Sequence, residues 1–154
     1  MTSLKEQLHE DLTAATKSRD AVTLGTLRMA LTAISTKEVA GKEARTLSDE
    51  EVLAVLTSEA KKRKESIEAY RAASRDDLAE VEVAELAVLE RYLPAALSAD
   101  ELAGLIADAV AAAKASGLEG MKAMGAVMKT LQPQVTGRAD GGEVAAAVKA
   151  ALGA

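Results

Sequence analysis

The chain has 154 residues, a formal net charge of −5 and a hydrophobic fraction of 49%. This length suits one domain or two small lobes, and the negative charge argues against strong non-specific binding to nucleic acid, although a local basic face is compatible with it. There are no cysteines, which excludes disulfides, thiolate metal sites and cysteine nucleophiles. Alanine supplies 34 residues and Tyr70 and Tyr92 are the only aromatic residues, so the composition predicts an all-α protein with an aliphatic core.

The first half of the sequence predicts four helices, because apolar residues recur every three or four positions. Residues 39–47 lack this spacing and predict a loop. Ser48, with Glu51 three residues later, predicts a capping box at the start of a long third helix. A second Ser-x-x-acid pattern at Ser74 predicts a break before the fourth helix, which Pro94 ends. The apolar positions of the four helices are Leu4, Leu8, Leu12 and Ala15; Leu24, Leu27, Leu31 and Ile34; Leu53, Leu56, Ala60, Ile67 and Tyr70; and Leu78, Leu86, Leu89 and Leu93.

The second half predicts three shorter helices. Ser98 and Glu101 form another capping box, and Gly117 ends the helix that this box opens. A loop is expected over residues 132–139, between the sixth and seventh helices. We therefore expect a two-lobe protein, with an N-terminal helical bundle over residues 1–96 and a three-helix C-terminal lobe over residues 97–154. The expected core of the sixth helix is the stripe Met121, Met124, Met128 and Leu131, and that of the seventh is Val144, Val148 and Leu152.

Two features of the sequence bear on location. Residues 1–6 include an acidic residue and no apolar signal-peptide core. The most apolar later stretch, residues 102–113, is broken by Gly104 and Asp108 and is too short to cross a bilayer. We expect a cytoplasmic protein that does not bind membranes.

Residue types that usually carry catalysis are scarce. His9 is the only histidine and has no serine or cysteine partner that the sequence can assign. The acids at residues 76–85 predict a solvated helix face, and residues 137–142 lack the Lys-Ser/Thr ending of a phosphate loop. We expect no catalytic residue, no metal and no cofactor.

The densest basic run is Lys61-Lys62-Arg63-Lys64. Successive helical residues point 100° apart, so these four side chains do not share a face. Acids four positions away, in the pairs Glu59/Arg63, Lys61/Glu65 and Lys64/Glu68, predict a charge-balanced surface helix. Arg63 and Lys64 flank the apolar seam and form a secondary basic surface.

A second basic feature lies on the sixth helix. Lys122 and Lys129 are seven residues apart and share a face, and Gly125 between them allows a backbone to approach closely. This arrangement suits a phosphate.

The loop before the last helix contains Gly137 and Arg138, and Asp140 precedes Gly141 and Gly142. Exposed N–H groups at a helix start can hold an anion. The alternative is that Asp140 is a plain N-cap and the glycines ease a tight turn. Both interpretations stay open from sequence.

Five segments together resemble the GatB/YqeY family, and the resemblance covers essentially the whole chain. The first two lie in the second and third helices, the next at the expected lobe boundary and the last two in the C-terminal lobe. They are Thr26–Met29 (TLRM), Arg63–Tyr70 (RKESIEAY), Tyr92–Pro94 (YLP) with Leu97-Ser98, Met124–Lys129 (MGAVMK) and Gly137–Gly141 (GRADG).

The resemblance implies an all-helical fold of two lobes. In this family the same module forms the C-terminal tail of the GatB subunit of the tRNA-dependent amidotransferase, where it helps to recognise tRNA. It is also fused to some glutaminyl-tRNA synthetases as a tRNA-contacting appendage. The implied partners are tRNA, an aminoacyl-tRNA synthetase and amidotransferase subunits.

Three functions follow as hypotheses. The first is a non-catalytic tRNA-binding accessory module linked to tRNA-dependent amidation or aminoacylation, with Lys122, Gly125, Lys129, Gly137, Arg138 and Gly141 as RNA-binding residues. The second is an amidotransferase-related subunit, a carbon–nitrogen ligase with glutamine as amido-N-donor, that is active only with partner chains. The third is a helical protein-interaction module that uses the Leu/Tyr seam of the third helix.

Overall fold

The fold is all-helical, as predicted, in a computed structural model that describes residues 1–153. No strand occurs within these residues. None of their helices combines the length and apolar character that crossing a membrane requires. The helices are α1 (Leu4–Ser18), α2 (Ala21–Glu38), α3 (Asp49–Ala72), α4 (Asp76–Glu90), α5 (Ala99–Ala115), α6 (Gly120–Val135) and α7 (Gly141–Leu152).

The chain divides into two compact units, which we call the N-terminal unit (Met1–Leu93) and the C-terminal unit (from Pro94 onward). In the N-terminal unit, helices α1 to α4 pack around leucine, isoleucine and valine side chains that are almost completely buried. Burial of this apolar surface is the main stabilising contribution to the unit. Its most deeply buried large side chains are Leu8, Leu27, Ile34, Leu56 and Leu89.

The turn after α4 is tied to α1 by a polar contact. The Tyr92 hydroxyl donates a hydrogen bond of 2.5 Å to Oδ2 of Asp11. Burial, together with this bond, raises the pKa of the Tyr92 hydroxyl. The tyrosine of the YLP motif therefore has a structural partner within its own unit.

The C-terminal unit has a separate core made by α5, α6 and α7. Val127, Leu131, Val144 and Val148 are completely buried there, and Ile106 of α5 packs against them. Aliphatic side chains alone make up this core, as the composition predicts.

Two predicted capping boxes are confirmed. The Glu51 amide donates to Oγ of Ser48 and the Ser48 amide donates to Oε2 of Glu51, and the same reciprocal pair links Ser98 and Glu101. Gly117 has a φ of 75° just after α5, where the sequence predicts that this helix ends.

The break predicted at Ser74 is confirmed, but Ser74 does not cap α4. Ser74 has a φ of 57° and lies in the turn after α3. The N-cap of α4 is Arg75, whose side chain pairs with Asp77 at 3.0 Å instead of capping the helix. The acid three residues after Ser74 is therefore committed to another partner.

The predicted start of the next loop, at residue 132, is wrong, because α6 continues through Pro133 to Val135. Proline has no N–H to donate to the carbonyl of Lys129 and normally weakens a helix interior. Leu131 and Val135 are buried one turn apart, and their packing holds the last turn of α6 in place.

The methionine stripe of α6 is only partly a core stripe. Met121 is 86% exposed, whereas Met124 and Met128 are half-buried at the edge of the core. The buried stripe lies beside the predicted one and consists of Ala123, Val127, Leu131 and Val135.

Candidate nucleic-acid interface

The predicted lysine face of α6 exists and points away from the core. Lys122, Gly125 and Lys129 are all exposed. At 100° per residue they lie on the side of the helix opposite to buried Ala123 and Val127. The two lysines are about 10 Å apart along the helix axis, at 1.5 Å per residue.

Gly125 leaves the surface between the two lysines open. A Cβ atom added at this position would meet nothing within 4 Å. The absence of a side chain there lets a phosphate group approach the helix backbone between two ammonium groups. Phosphate contacts of this kind position a nucleic acid without reading its sequence.

The charges of Lys122 and Lys129 are not neutralised by an ion pair with any other residue between 1 and 153. Glu119, the N-cap residue of α6, lies three residues before Lys122, but no ion pair joins these two side chains. Both ammonium groups are therefore available to an external anion.

The basic run in α3 is different. Lys62 pairs with Glu59 at 3.0 Å. Arg63 is only 8% exposed, and it pairs with Glu59 at 2.8 Å and faces Glu85 at 3.5 Å. The prediction of a surface Arg63 is therefore corrected, because this arginine joins helices inside the unit, and only Lys64 remains exposed as expected.

Arg138 has a structural contact that the sequence does not show. Its Nε donates to the carbonyl of Ala95 at 3.0 Å, and its own carbonyl accepts from the Leu97 amide at 2.9 Å. The pKa of Glu101 is lowered chiefly by the Ser98 amide, with the positive charge of Arg138 as a further cause. Arg138 is thus a weaker candidate for phosphate binding than the α6 lysines.

Gly137 lies in the short connection between α6 and α7, and Gly141 is the first residue of α7. Gly137 has a φ of 75°, a conformation that glycine adopts without strain. Asp140 is the N-cap of α7 and accepts from the Glu143 amide at 3.0 Å. A Cβ on Gly142 would lie 3.1 Å from the Asp140 carboxylate, so this glycine makes room for the cap.

The start of α7 consequently favours the plain N-cap interpretation. The Asp140 carboxylate brings a negative charge to the helix end and occupies the Glu143 amide. Gly141 remains exposed in open space. The site that stands on geometry is therefore the lysine face, which we define as Lys122, Gly125 and Lys129.

Two further observations concern other possible binding sites. A pocket of about 410 Å³ lies where the turn between α5 and α6 meets the end of α7, lined in part by Lys114, Gly120 and Leu152. Across residues 1–153, no group of three or more histidine, cysteine or acidic side chains is arranged to hold a metal ion.

Comparison with known proteins identifies the family. The profile of the YqeY-like proteins matches residues 5–152. The chain belongs to the YqeY-like family. An uncharacterized protein of Schizosaccharomyces pombe is 37% identical over 93 residues, which are 60% of this chain and 73% of that relative. The resemblance inferred from the five sequence segments is confirmed.

Proposed function

We propose that this protein is a non-catalytic accessory protein that binds tRNA through the lysine face of α6. Its place of action is the cytoplasm, beside the enzymes of tRNA-dependent amidation or aminoacylation. The observation that carries the proposal is the pair of unneutralised lysines around an open glycine.

The lysine face supports binding to a phosphate backbone. Neutralising phosphates with lysine releases condensed counterions, and this supplies most of the affinity in sequence-independent nucleic-acid binding. A protein with a net charge of −5 needs such a face to be local, because its overall field repels RNA. Lys122 and Lys129 provide a local positive surface with no acidic partner.

The family supports tRNA as the nucleic acid. The module that this chain resembles contacts tRNA in the GatB tail and in some glutaminyl-tRNA synthetases. Function lies in sites and not in folds, so the amidotransferase reaction itself is not inherited with the module. The inherited property that we propose is recognition of the tRNA backbone.

The decisive experiment is a capture from a lysate of the native organism, with RNA sequencing and mass spectrometry of one eluate. Wild-type bait should enrich tRNA. The Lys122→Ala/Lys129→Ala bait should lose this enrichment. A matched control, Lys114→Ala/Lys149→Ala, removes the same charge from exposed lysines of the same unit and should keep it.

The outcomes separate the three hypotheses. Recovery of protein partners without tRNA enrichment would contradict tRNA binding and favour a helical interaction module. Ligase activity in a recovered complex, lost on a point substitution in this chain, would favour an amidotransferase-related subunit. Equal loss of tRNA by both double variants would mean that the lysine face is not the site.

A further inference from the structure

The N-terminal unit contains a buried arginine with an unused hydrogen-bonding group. Arg63 lies on α3 between Met29 of α2 and Glu85 of α4. Its Nη1 donates to the carboxylate of Glu59 at 2.8 Å. Its Nε is buried and has no hydrogen-bond partner, since the Glu85 carboxylate is 3.5 Å away.

The remaining guanidinium nitrogen has a weak acceptor. Nη2 of Arg63 donates to the thioether sulfur of Met29 at 3.5 Å. A thioether accepts hydrogen bonds poorly, whereas a guanidinium is a strong, permanently charged donor. The donor capacity of Arg63 therefore exceeds what its neighbours accept.

The charges around Arg63 decide what kind of acceptor fits there. Glu59 and Glu85 lie on two sides of the guanidinium, so its positive charge is already balanced. A further anion would meet two carboxylates. A neutral group with a strongly accepting oxygen meets no such repulsion.

Met29 can acquire such an oxygen. Its side chain is 42% exposed, so solvent oxidants reach it. We propose that Met29 is a reversible oxidation site whose sulfoxide oxygen is held by Arg63. The oxidant is a hydroperoxide.

The oxidation step is balanced as follows. The Met29 sulfur attacks the peroxide, its sulfur–oxygen bond forms as the oxygen–oxygen bond breaks, and the hydroperoxide leaves as water or an alcohol after proton transfer. The sulfur loses two electrons and the peroxide gains them. A thiol-dependent methionine sulfoxide reductase reverses the change.

Met121 provides an internal control. It is 86% exposed on α6, and its side chain makes no hydrogen bond to another residue between 1 and 153. Peroxide should oxidise both methionines. Of the two sulfurs, that of Met29 already accepts a hydrogen bond from a charged donor, Arg63.

The test follows the Arg63 side chain by NMR while peptide mass spectrometry measures oxidation at each methionine. Hydrogen peroxide should shift the Arg63 Nε–H resonance in step with Met29 sulfoxide formation. The shift should be absent in Met29→Leu, where Met121 still oxidises, and present in Met121→Leu. Treatment with a methionine sulfoxide reductase should restore the original resonance.

Two results would overturn the proposal. One is an Arg63 resonance that stays in place while Met29 is fully oxidised. The other is a Met29 that stays reduced when Met121 is fully oxidised. Thermal unfolding gives an independent readout. A sulfoxide held by Arg63 should leave the melting temperature of the oxidised protein equal to or higher than that of the reduced protein. A drop on oxidation that occurs only in proteins that carry Met29 would contradict the hydrogen bond.

Discussion

The two units use their charged residues in different ways. In the N-terminal unit, Lys5 of α1 pairs with Glu38 of α2 at 2.7 Å, and Arg63 of α3 faces Glu85 of α4. In the C-terminal unit the core is aliphatic, and the lysines of α6 lie on the solvent side. Lys5 and Arg63 join helices in the N-terminal unit, whereas Lys122 and Lys129 stay available at the surface of the C-terminal unit.

This difference shows why the density of basic residues is a poor guide to binding. The run from Lys61 to Lys64 is the most basic stretch of the sequence, yet Lys62 is paired and Arg63 is buried. Lys122 and Lys129 are isolated in sequence, yet both are exposed. Availability depends on what lies on neighbouring turns and helices.

The largest expected effect tests the aliphatic core of the C-terminal unit. Leu131→Ala removes a completely buried side chain and should lower the free energy of unfolding by about 3 kcal/mol. Met121→Ala, on the same helix, should change it by less than about 0.5 kcal/mol because Met121 is exposed. Urea unfolding followed by circular dichroism measures both, and equal losses would contradict the assigned face of α6.

The next effect tests the role of Arg63 in the N-terminal unit. Arg63→Ala removes the positive charge between Glu59 and Glu85, leaves Glu59 with Lys62 alone, and should cost about 2 kcal/mol. This is below the range for fully buried pairs, because the two glutamate side chains remain 13% and 21% exposed. Lys64→Ala is the control and should stay within about 0.5 kcal/mol. An Arg63→Ala variant as stable as this control would show that the arginine does not join the helices.

Helix content and most helix boundaries could be predicted from sequence, because apolar spacing and capping boxes are local signals. Ser48 and Ser98 cap as predicted, since each serine has an extended backbone and the acid three residues later accepts the serine amide, although Glu51 also pairs with Arg45. The Ser-x-x-acid pattern at Ser74 marks the break between α3 and α4 but forms no cap, because Ser74 lies in the turn with a φ of 57° and Arg75 is the N-cap residue. A capping box therefore forms where the backbone of the serine is extended, as at Ser48 and Ser98, and not where it is left-handed, as at Ser74.

The predictions that failed depended on contacts between helices. Arg63 was predicted at the surface because Glu85, its partner on α4, is 22 residues away in sequence. Met121 was predicted in the core because two adjacent stripes of α6 both have helical spacing, and packing against α5 and α7 selects one. Pro133 stays helical because the buried side chains around it outweigh one lost backbone hydrogen bond.

A smaller loss of stability is expected when the capping boxes of the two units are removed. Ser48→Ala and Ser98→Ala should each cost about 1 kcal/mol, since each hydroxyl accepts a backbone N–H that otherwise lacks a partner. Ser74→Ala should cost less than about 0.5 kcal/mol because Ser74 caps no helix. Urea unfolding measures all three, and a large loss at Ser74 would restore the capping interpretation.

The smallest effect concerns pH. Hydrogen bonds from Arg45, then from the Ser48 amide, lower the pKa of Glu51 to about 2. A lowered pKa means that the ionised carboxylate stabilises the fold above its ordinary pKa of 4.5, and that this contribution is lost as the pH falls toward 2. The stability difference between wild type and Glu51→Gln should therefore be constant near neutrality and shrink below pH 4.5.

Glu101 provides the matching measurement in the C-terminal unit. The Ser98 amide lowers its pKa, so Glu101→Gln should show the same sense of pH dependence. Thermal unfolding between pH 7 and pH 2 measures both variants. A difference that grows on acidification would contradict the assigned hydrogen bonds.

The salt dependence of tRNA binding tests the lysine face most directly. If Lys122 and Lys129 both contact phosphates, their replacement by alanine should reduce the slope of log K against log salt by about 1.4 to 1.8. The matched Lys114→Ala/Lys149→Ala variant should keep the wild-type slope. A Lys122→Ala/Lys129→Ala variant that binds tRNA with unchanged affinity and unchanged slope would contradict the account.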